Sequence, residues 1–243
     1  MGETTAAHKK LTFYIDLIIV KLRPEQWGVL DVEIPHPGRM ILAVRSYLRA
    51  AEKPGSLENQ WTWPKERIEE YERSEDYRKA TAEVHKVKVE FARRNPGYAL
   101  EGDVKVRSLS EQVLLWNKNE SVLKLGEELR KKALREIMRP RYPEYPDEEN
   151  LSAFKHYLMT VALSGEPTNA APGLSRHGQG RACDFTIKKD KKKIASTGAA
   201  QKNWDFPGWT TKLKQAVTAA TKKLEGPLRY PKIYEPWHYV YKP

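Results

Sequence analysis

One cysteine, Cys183, stands among the 243 residues, so no intrachain disulfide framework braces this chain. That absence leaves the compartment open, because a disulfide-free protein works on either side of a membrane. Long apolar runs are missing as well. The best, Leu11 to Val20 in LTFYIDLIIV, is interrupted by Asp16 and falls short of the roughly 20 residues a spanning helix needs. It follows HKK, as the apolar region of a signal peptide would, but KLRPEQW comes next instead of a small-residue cleavage pattern. A strand or a buried helix of the folded protein is therefore expected there, with no membrane span. There is also no internal repeat and no low-complexity tract. Acidic residues are in deficit, 32 against 43 basic, giving a net charge of +11. No recognised nucleic-acid motif accompanies that charge, so a nucleic-acid partner is not expected. An anionic cell-envelope polymer and a merely solvated basic surface both remain open. The densest basic run, Lys188 to Lys193 (KKDKKK), reads as a solvated hairpin tip following CDFTI.

What is present is an ordinary globular balance, 40% hydrophobic and 31% charged, in a chain long enough to bury a core. Residues 1–95 read as a mostly helical extension. Within it, Ile41, Val44 and Leu48 recur at helical spacing between Pro37 and Lys53. Lys65 to Asn95 reads as one or two charged amphipathic helices stopped by NPG. Trp61 and Trp63, large apolar groups in a polar stretch, are expected to dock this region onto the rest. From Gly97 the style changes. A short extended piece leads to Arg107, and Ser108 with Glu111 fits a capping box opening a helix from about Ser110. Further helices are expected over about Ser121 to Met138 and Leu151 to Leu163, forming a helical insertion at about 117–163 of a domain spanning 96–243. Loops and strands follow, with one more helix around Gly208 to Leu224 and a last strand over Lys232 to Lys242.

The chemistry begins in GLSRHGQGRACDFTI, residues 173–187. Strand alternation puts Cys183, Phe185 and Ile187 on one face, a core face, and Ala182, Asp184 and Thr186 on the other. His177 precedes this strand in a loop whose Gly178 and Gly180 permit a reversal that could bring it back towards Asp184. Alone, the stretch fits a capped turn as well as half of a metal site. YEPWHYVY, residues 234–241, adds Glu235 three residues before His238 inside an aromatic strand. Burying a histidine and a carboxylate there is costly unless each has a partner. A zinc ion would supply one, since two imidazoles, a carboxylate and a water make a tetrahedral site with an open position. Glu235, beside the metal, would then act as the base. Regular alternation would put Glu235 and His238 on opposite faces, so a departure from regular pairing is expected near Pro236, which cannot donate to a ladder.

Ser175, His177, Gly180, Ala182 and Asp184 spell S-x-H-x-x-G-x-A-x-D, and Glu235, Trp237 and His238 spell E-x-W-H. Together the two motifs resemble those of the zinc D-alanyl-D-alanine carboxypeptidases, in the superfamily that includes lysostaphin-type peptidases and the hedgehog signalling domain. The resemblance implies that His177, Asp184 and His238 bind zinc and that Glu235 is the general base. It also implies an upstream arginine in S-x-Y-R-S-x-x-x-Q. Here VRSLSEQ keeps Arg107, Ser108 and Gln112 but has Val106 in place of the tyrosine. Arg107 would steady the scissile carbonyl or grip a terminal carboxylate. Ser175, Gln112 and Trp237 are the further candidate substrate contacts, with loop ordering for Ser175 and packing for Trp237 as the competing roles.

The resulting expectation is an α+β fold: a small, mainly antiparallel sheet carrying the zinc site, with helices on one side. The expected activity is a Zn2+-dependent D,D-carboxypeptidase acting on peptidoglycan stem peptides, at the cell envelope or outside it. An endolysin-type endopeptidase and a non-catalytic cell-wall binding module are the alternatives.

Overall fold

The structure, a computed structural model, describes residues 2–52, 60–197, 200–230 and 233–243. The class is α+β, and among the described residues every strand pairing is antiparallel. Two compact units share the chain: residues 1–61 with 109–175, and residues 62–108 with 176–243. The boundary expected at residue 95 is thus displaced. The two charged helices before it, α4 (Lys65–Arg73) and α5 (Glu75–Arg94), belong with the strands. The insertion is correspondingly longer than expected, 109–175. The reason lies in the apolar stripe of α5, where Ala80, Val84, Val87 and Phe91 are buried against Phe185, Leu213 and Tyr239 in the core of the second unit.

The helical unit contains α1 (Gly2–Ile19), α2 (Pro24–Val32), α3 (Pro37–Ala51), α6 (Leu109–Lys118), α7 (Glu120–Glu136) and α8 (Glu148–Thr160). LTFYIDLIIV is helical up to Ile19, and Val20 begins a turn. Leu11, Tyr14, Ile15, Ile18 and Ile19 are buried at helical spacing, while Asp16 stays exposed. Local chemistry sets several helix starts: His36 accepts from Gly38 N–H, Asn119 from Val122 N–H, and Asp147 with Asn150 forms a capping box. Helix α6 opens directly after Ser108. Trp61 does anchor this unit, its ring 5.8 Å from Tyr47 and lying over the α-carbon of Gly173, whose φ of +88° favours glycine.

Helices α3 and α7 approach so closely at Gly38 and Gly126 that a β-carbon on Gly126 would lie 2.3 Å from the Gly38 carbonyl oxygen. The neighbour is backbone and cannot step aside. Gly126→Ala is therefore expected to lower stability by about 1–3 kcal/mol through forced separation of the helices. Gly28, in α2, has no atom within 4 Å of the same position. Gly28→Ala should instead raise stability by up to about 1 kcal/mol, through helix propensity. Urea midpoints of the two variants should move in opposite directions.

Glu128 of α7 accepts from Lys132 Nζ at 2.8 Å and from Ser164 Oγ at 2.6 Å and Ser164 N–H at 3.1 Å, tying the loop after α8 to α7. The bond from Lys132, followed by that from Ser164, brings its carboxyl down to about 2. A carboxyl depressed by folding stabilises the protein above its unfolded-state value, about 4.3, and loses that contribution as pH falls through the folded value. Glu128→Gln should therefore cost about 1 kcal/mol at pH 7. The gap between the two urea midpoints should close as pH falls from about 4.3 towards 2.

The second unit carries a three-stranded sheet in the order β1 (Tyr98–Glu101), β3 (Thr186–Lys189), β4 (Lys192–Ala195). Another has the order β2 (Ala182–Asp184), β8 (His238–Tyr241), β5 (Leu224–Glu225), and β6 (Leu228–Tyr230) pairs with β7 (Ile233–Glu235) as a ribbon. KKDKKK is a hairpin tip, with Asp190 and Lys191 at φ of +47° and +65°, the values a tight hairpin turn of right-twisted strands requires. Cys183, Phe185 and Ile187 are fully buried in the core of this unit, as alternation predicts, although the strand breaks at Phe185 into β2 and β3. Helices α9 (Lys202–Asp205) and α10 (Trp209–Ala220) complete the unit, burying Trp204 and Trp209 as loop anchors. Among the described residues no helix is long and apolar enough to cross a membrane.

Candidate metal centre

Strands β2 and β8 pair so that Asp184 stands directly opposite His238. Cross-strand partners hold their β-carbons about 5 Å apart, so register alone brings together two groups distant in sequence. Asp184 Oδ1 lies 2.8 Å from His238 Nδ1. On its other oxygen the carboxylate meets His177, with Nε2 3.3 Å from Oδ2. His177 comes from a single 3-10 turn, Arg176–Gln179, which Gly180, at φ +63°, reverses into β2. The two imidazole rings stand 5.1 Å apart at 67°. Ligand atoms of His177, Asp184 and His238 all fall within 4.8 Å of one another, so the three can hold a metal ion.

The last strand breaks where Pro236 predicts. Pro236 and Trp237 form a turn, β7 before it pairs with β6, and β8 after it pairs with β2 and β5. The break resolves the alternation conflict, since Glu235 and His238 no longer share one regular strand. Glu235 Oε2 lies 4.0 Å from His238 Nδ1, on the side of the cluster. Behind it, Tyr234 Oη donates to Asp205 Oδ1 at 2.9 Å, Thr210 Oγ1 reaches the same oxygen at 2.6 Å, and Gln201 Nε2 holds the Tyr234 carbonyl at 2.7 Å. Asp205 thus anchors the strand that carries Glu235. Arg107 follows the buried Val104 and Val106 in the extended run after β1. Its backbone N–H donates to the His177 carbonyl at 2.8 Å, and its guanidinium is 3.8 Å from Asp184 Oδ2.

Burial shapes the protonation states. It lowers His177 against the opposing pull of Asp184, favouring the neutral imidazole that a metal requires. Burial alone would raise Asp184, but hydrogen bonds from His177 and His238 overcome it and hold this carboxyl below the usual range. Glu235 is raised, chiefly by burial, with His238 opposing. Burial also raises Cys183, which leaves that thiol inert in the core.

The donor set, two imidazoles and a carboxylate, could hold a metal ion. His177 Nε2 and Asp184 Oδ2 stand 3.3 Å apart, near the edge of a tetrahedron with bonds of about 2.0–2.2 Å, whereas His238 Nδ1 and Asp184 Oδ1 are at hydrogen-bond distance, 2.8 Å. His238 Nε2 is buried without a hydrogen-bond partner, so the protein leaves one nitrogen of this ring unsatisfied.

His177, Asp184, His238, Glu235 and Arg107 therefore converge. The other candidates have different surroundings. Trp237 is 8% exposed, tilted against Trp204 at 6.0 Å, and its carbonyl accepts from Phe185 N–H, surroundings that fit the packing role. Gln112 belongs to the helical unit, buried, with its side-chain oxygen accepting from Gly173 N–H at 3.0 Å. Ser175 is the last residue of that unit. The bond between Tyr234 and Asp205, which ties down the strand ending at Glu235, was not legible, because it joins segments 29 residues apart with no pattern in common. No protein-family model, curated protein or solved structure matches this chain.

Proposed function

We propose that this chain is a zinc-dependent peptidase acting on peptidoglycan stem peptides, as a D-alanyl-D-alanine carboxypeptidase. The observation that carries the reading is the juxtaposition of a buried His–Asp–His cluster with a second carboxylate, Glu235, which stands beside the cluster without bridging it. A structural metal site has no use for such a group, whereas a hydrolytic one needs a base. The same feature weighs against a non-catalytic binding module.

His177, Asp184 and His238 would hold the ion. Zinc bound there supplies a Lewis acid for the scissile carbonyl and brings the pKa of water towards neutrality. Glu235 accepts the proton of the attacking water and returns it to the leaving amine. Arg107, at the edge of the cluster, steadies negative charge on the substrate, either the developing oxyanion or a terminal carboxylate. The D-Ala-D-Ala specificity rests on the resemblance of the two motifs. It would place the protein's work at the cell envelope, where its net charge of +11 suits anionic wall polymers.

The test is mass spectrometry of defined muropeptides incubated with the zinc-loaded protein. Loss of a single terminal alanine supports the carboxypeptidase. An internal cut assigns an endopeptidase instead, and intact muropeptides with zinc bound would overturn the hydrolase reading.

A further inference from the structure

We propose that Tyr71 is a positioning residue of the metal centre, holding the loop that carries His177 through the bond from its hydroxyl to the Gly180 carbonyl. The inference rests on the metal-centre reading above.

Asp184 and His238 are placed by a strand pairing, but His177 is not. It sits on one 3-10 turn followed by Gly180 in the left-handed region, outside the strand ladder that places the other two ligands. That turn is held from outside. The His177 carbonyl accepts from Arg107 N–H at 2.8 Å and the Gly178 carbonyl from Trp63 N–H at 3.0 Å. The Arg181 carbonyl accepts from Tyr241 N–H at 2.6 Å. The Gly180 carbonyl accepts from Tyr71 Oη at 3.0 Å. Of these four bonds the first three have backbone donors, which most substitutions leave intact. Only the fourth depends on which side chain occupies a position.

The fit between Tyr71 and the turn is steric as well. A β-carbon on Gly180 would lie 2.3 Å from Tyr71 Cε1, so ring and glycine are matched to each other. The ring itself is held edge-on between Trp63, at 5.1 Å and 69°, and Tyr77, at 5.5 Å and 76°. Arg67 lies over Trp63 at 4.5 Å. Burial raises the Tyr71 hydroxyl to about 12, which keeps it a donor across the working range. Helix α4, which bears Tyr71, has no fully buried residue. Ile68 and Tyr71 are its half-buried residues, and Tyr71 packs against Tyr77 of α5 as well as against the His177 loop.

The consequence is local. Gly180 is three residues from His177, and freeing its carbonyl loosens the turn that aims the imidazole at Asp184. Groups that orient metal ligands are worth about 10–100-fold in metal affinity. A single hydroxyl acting through the backbone belongs at the lower end of that range.

Tyr71→Phe keeps the ring and removes only the donor. Zinc affinity is measured by competition with a chelator, the ligand field by the visible absorption of the Co2+-substituted protein, and fold stability by thermal melting of the metal-free protein. The expected result is a zinc affinity weakened by about tenfold and an altered Co2+ spectrum, with the metal-free melt within a few degrees of the wild type. Tyr77→Phe, in the same aromatic stack, should match the wild type in all three. Unchanged zinc affinity and Co2+ spectrum in Tyr71→Phe would overturn the inference, as would equal weakening in Tyr77→Phe. A wild-type protein that binds no zinc would overturn the metal centre itself. A zinc-binding wild type with an indifferent Tyr71→Phe removes Tyr71 alone.

Discussion

Glu235→Gln should leave zinc binding intact and reduce peptide cleavage by about 10²–10⁴-fold, the range a positioned general base contributes. The substitution is nearly isosteric and keeps a polar group at the same place, so the fold and the three ligands remain. What is lost is a group able to take a proton. The geometry makes the separation of effects sharp, because Glu235 lies 4.0 Å from His238 Nδ1 and does not bridge the ligands as Asp184 does. Zinc content and catalytic rate, measured on the same preparation, check it. A variant that retains full activity would remove Glu235 from the role of base. One that loses its zinc would make Glu235 a ligand, contrary to its position.

Removal of the metal should have the second large effect. Chelation is expected to abolish cleavage and lower the melting temperature, with both restored by added zinc. At free zinc a thousandfold above its dissociation constant, binding to the folded state alone contributes about 4 kcal/mol. The metal-free protein should nevertheless stay folded, unlike a zinc finger. Its second unit keeps an apolar core of Val84, Phe91, Phe185, Trp204, Leu213 and Tyr239, and the Asp184 carboxylate still bridges both histidines. His238→Ala should reduce zinc from about one per chain to a small fraction, because two ligands rarely hold the ion. Zinc retained in His238→Ala, measured by elemental analysis, would break the ligand set.

The residues of the site were legible because their chemistry is local or their motif spacing is characteristic. A glycine-rich turn before Asp184, an aromatic strand around His238, and a proline able to break that strand can each be read without knowing any distant contact. The same holds for the hairpin at Asp190–Lys191, where turn geometry follows from a few neighbouring residues. Domain boundaries were not legible in this way. The helices at Lys65–Arg73 and Glu75–Arg94 have the composition of the segment before them, yet Phe91 and its neighbours bury against strands that come much later in the chain. Trp61 and Trp63 show the same limit at its narrowest. Two residues apart, they serve different units, Trp61 against Tyr47 and Trp63 against Tyr71.

The sequence by itself therefore pointed to the side chains that could bind a metal and to where the backbone would turn, since these depend on residue type and near neighbours. Tertiary structure alone decided that Asp184 would face His238, that Gln112 would be used for loop packing, and that Tyr71 would reach the Gly180 carbonyl. Those outcomes depend on strand register and on burial between segments far apart in the chain. No local pattern encodes either.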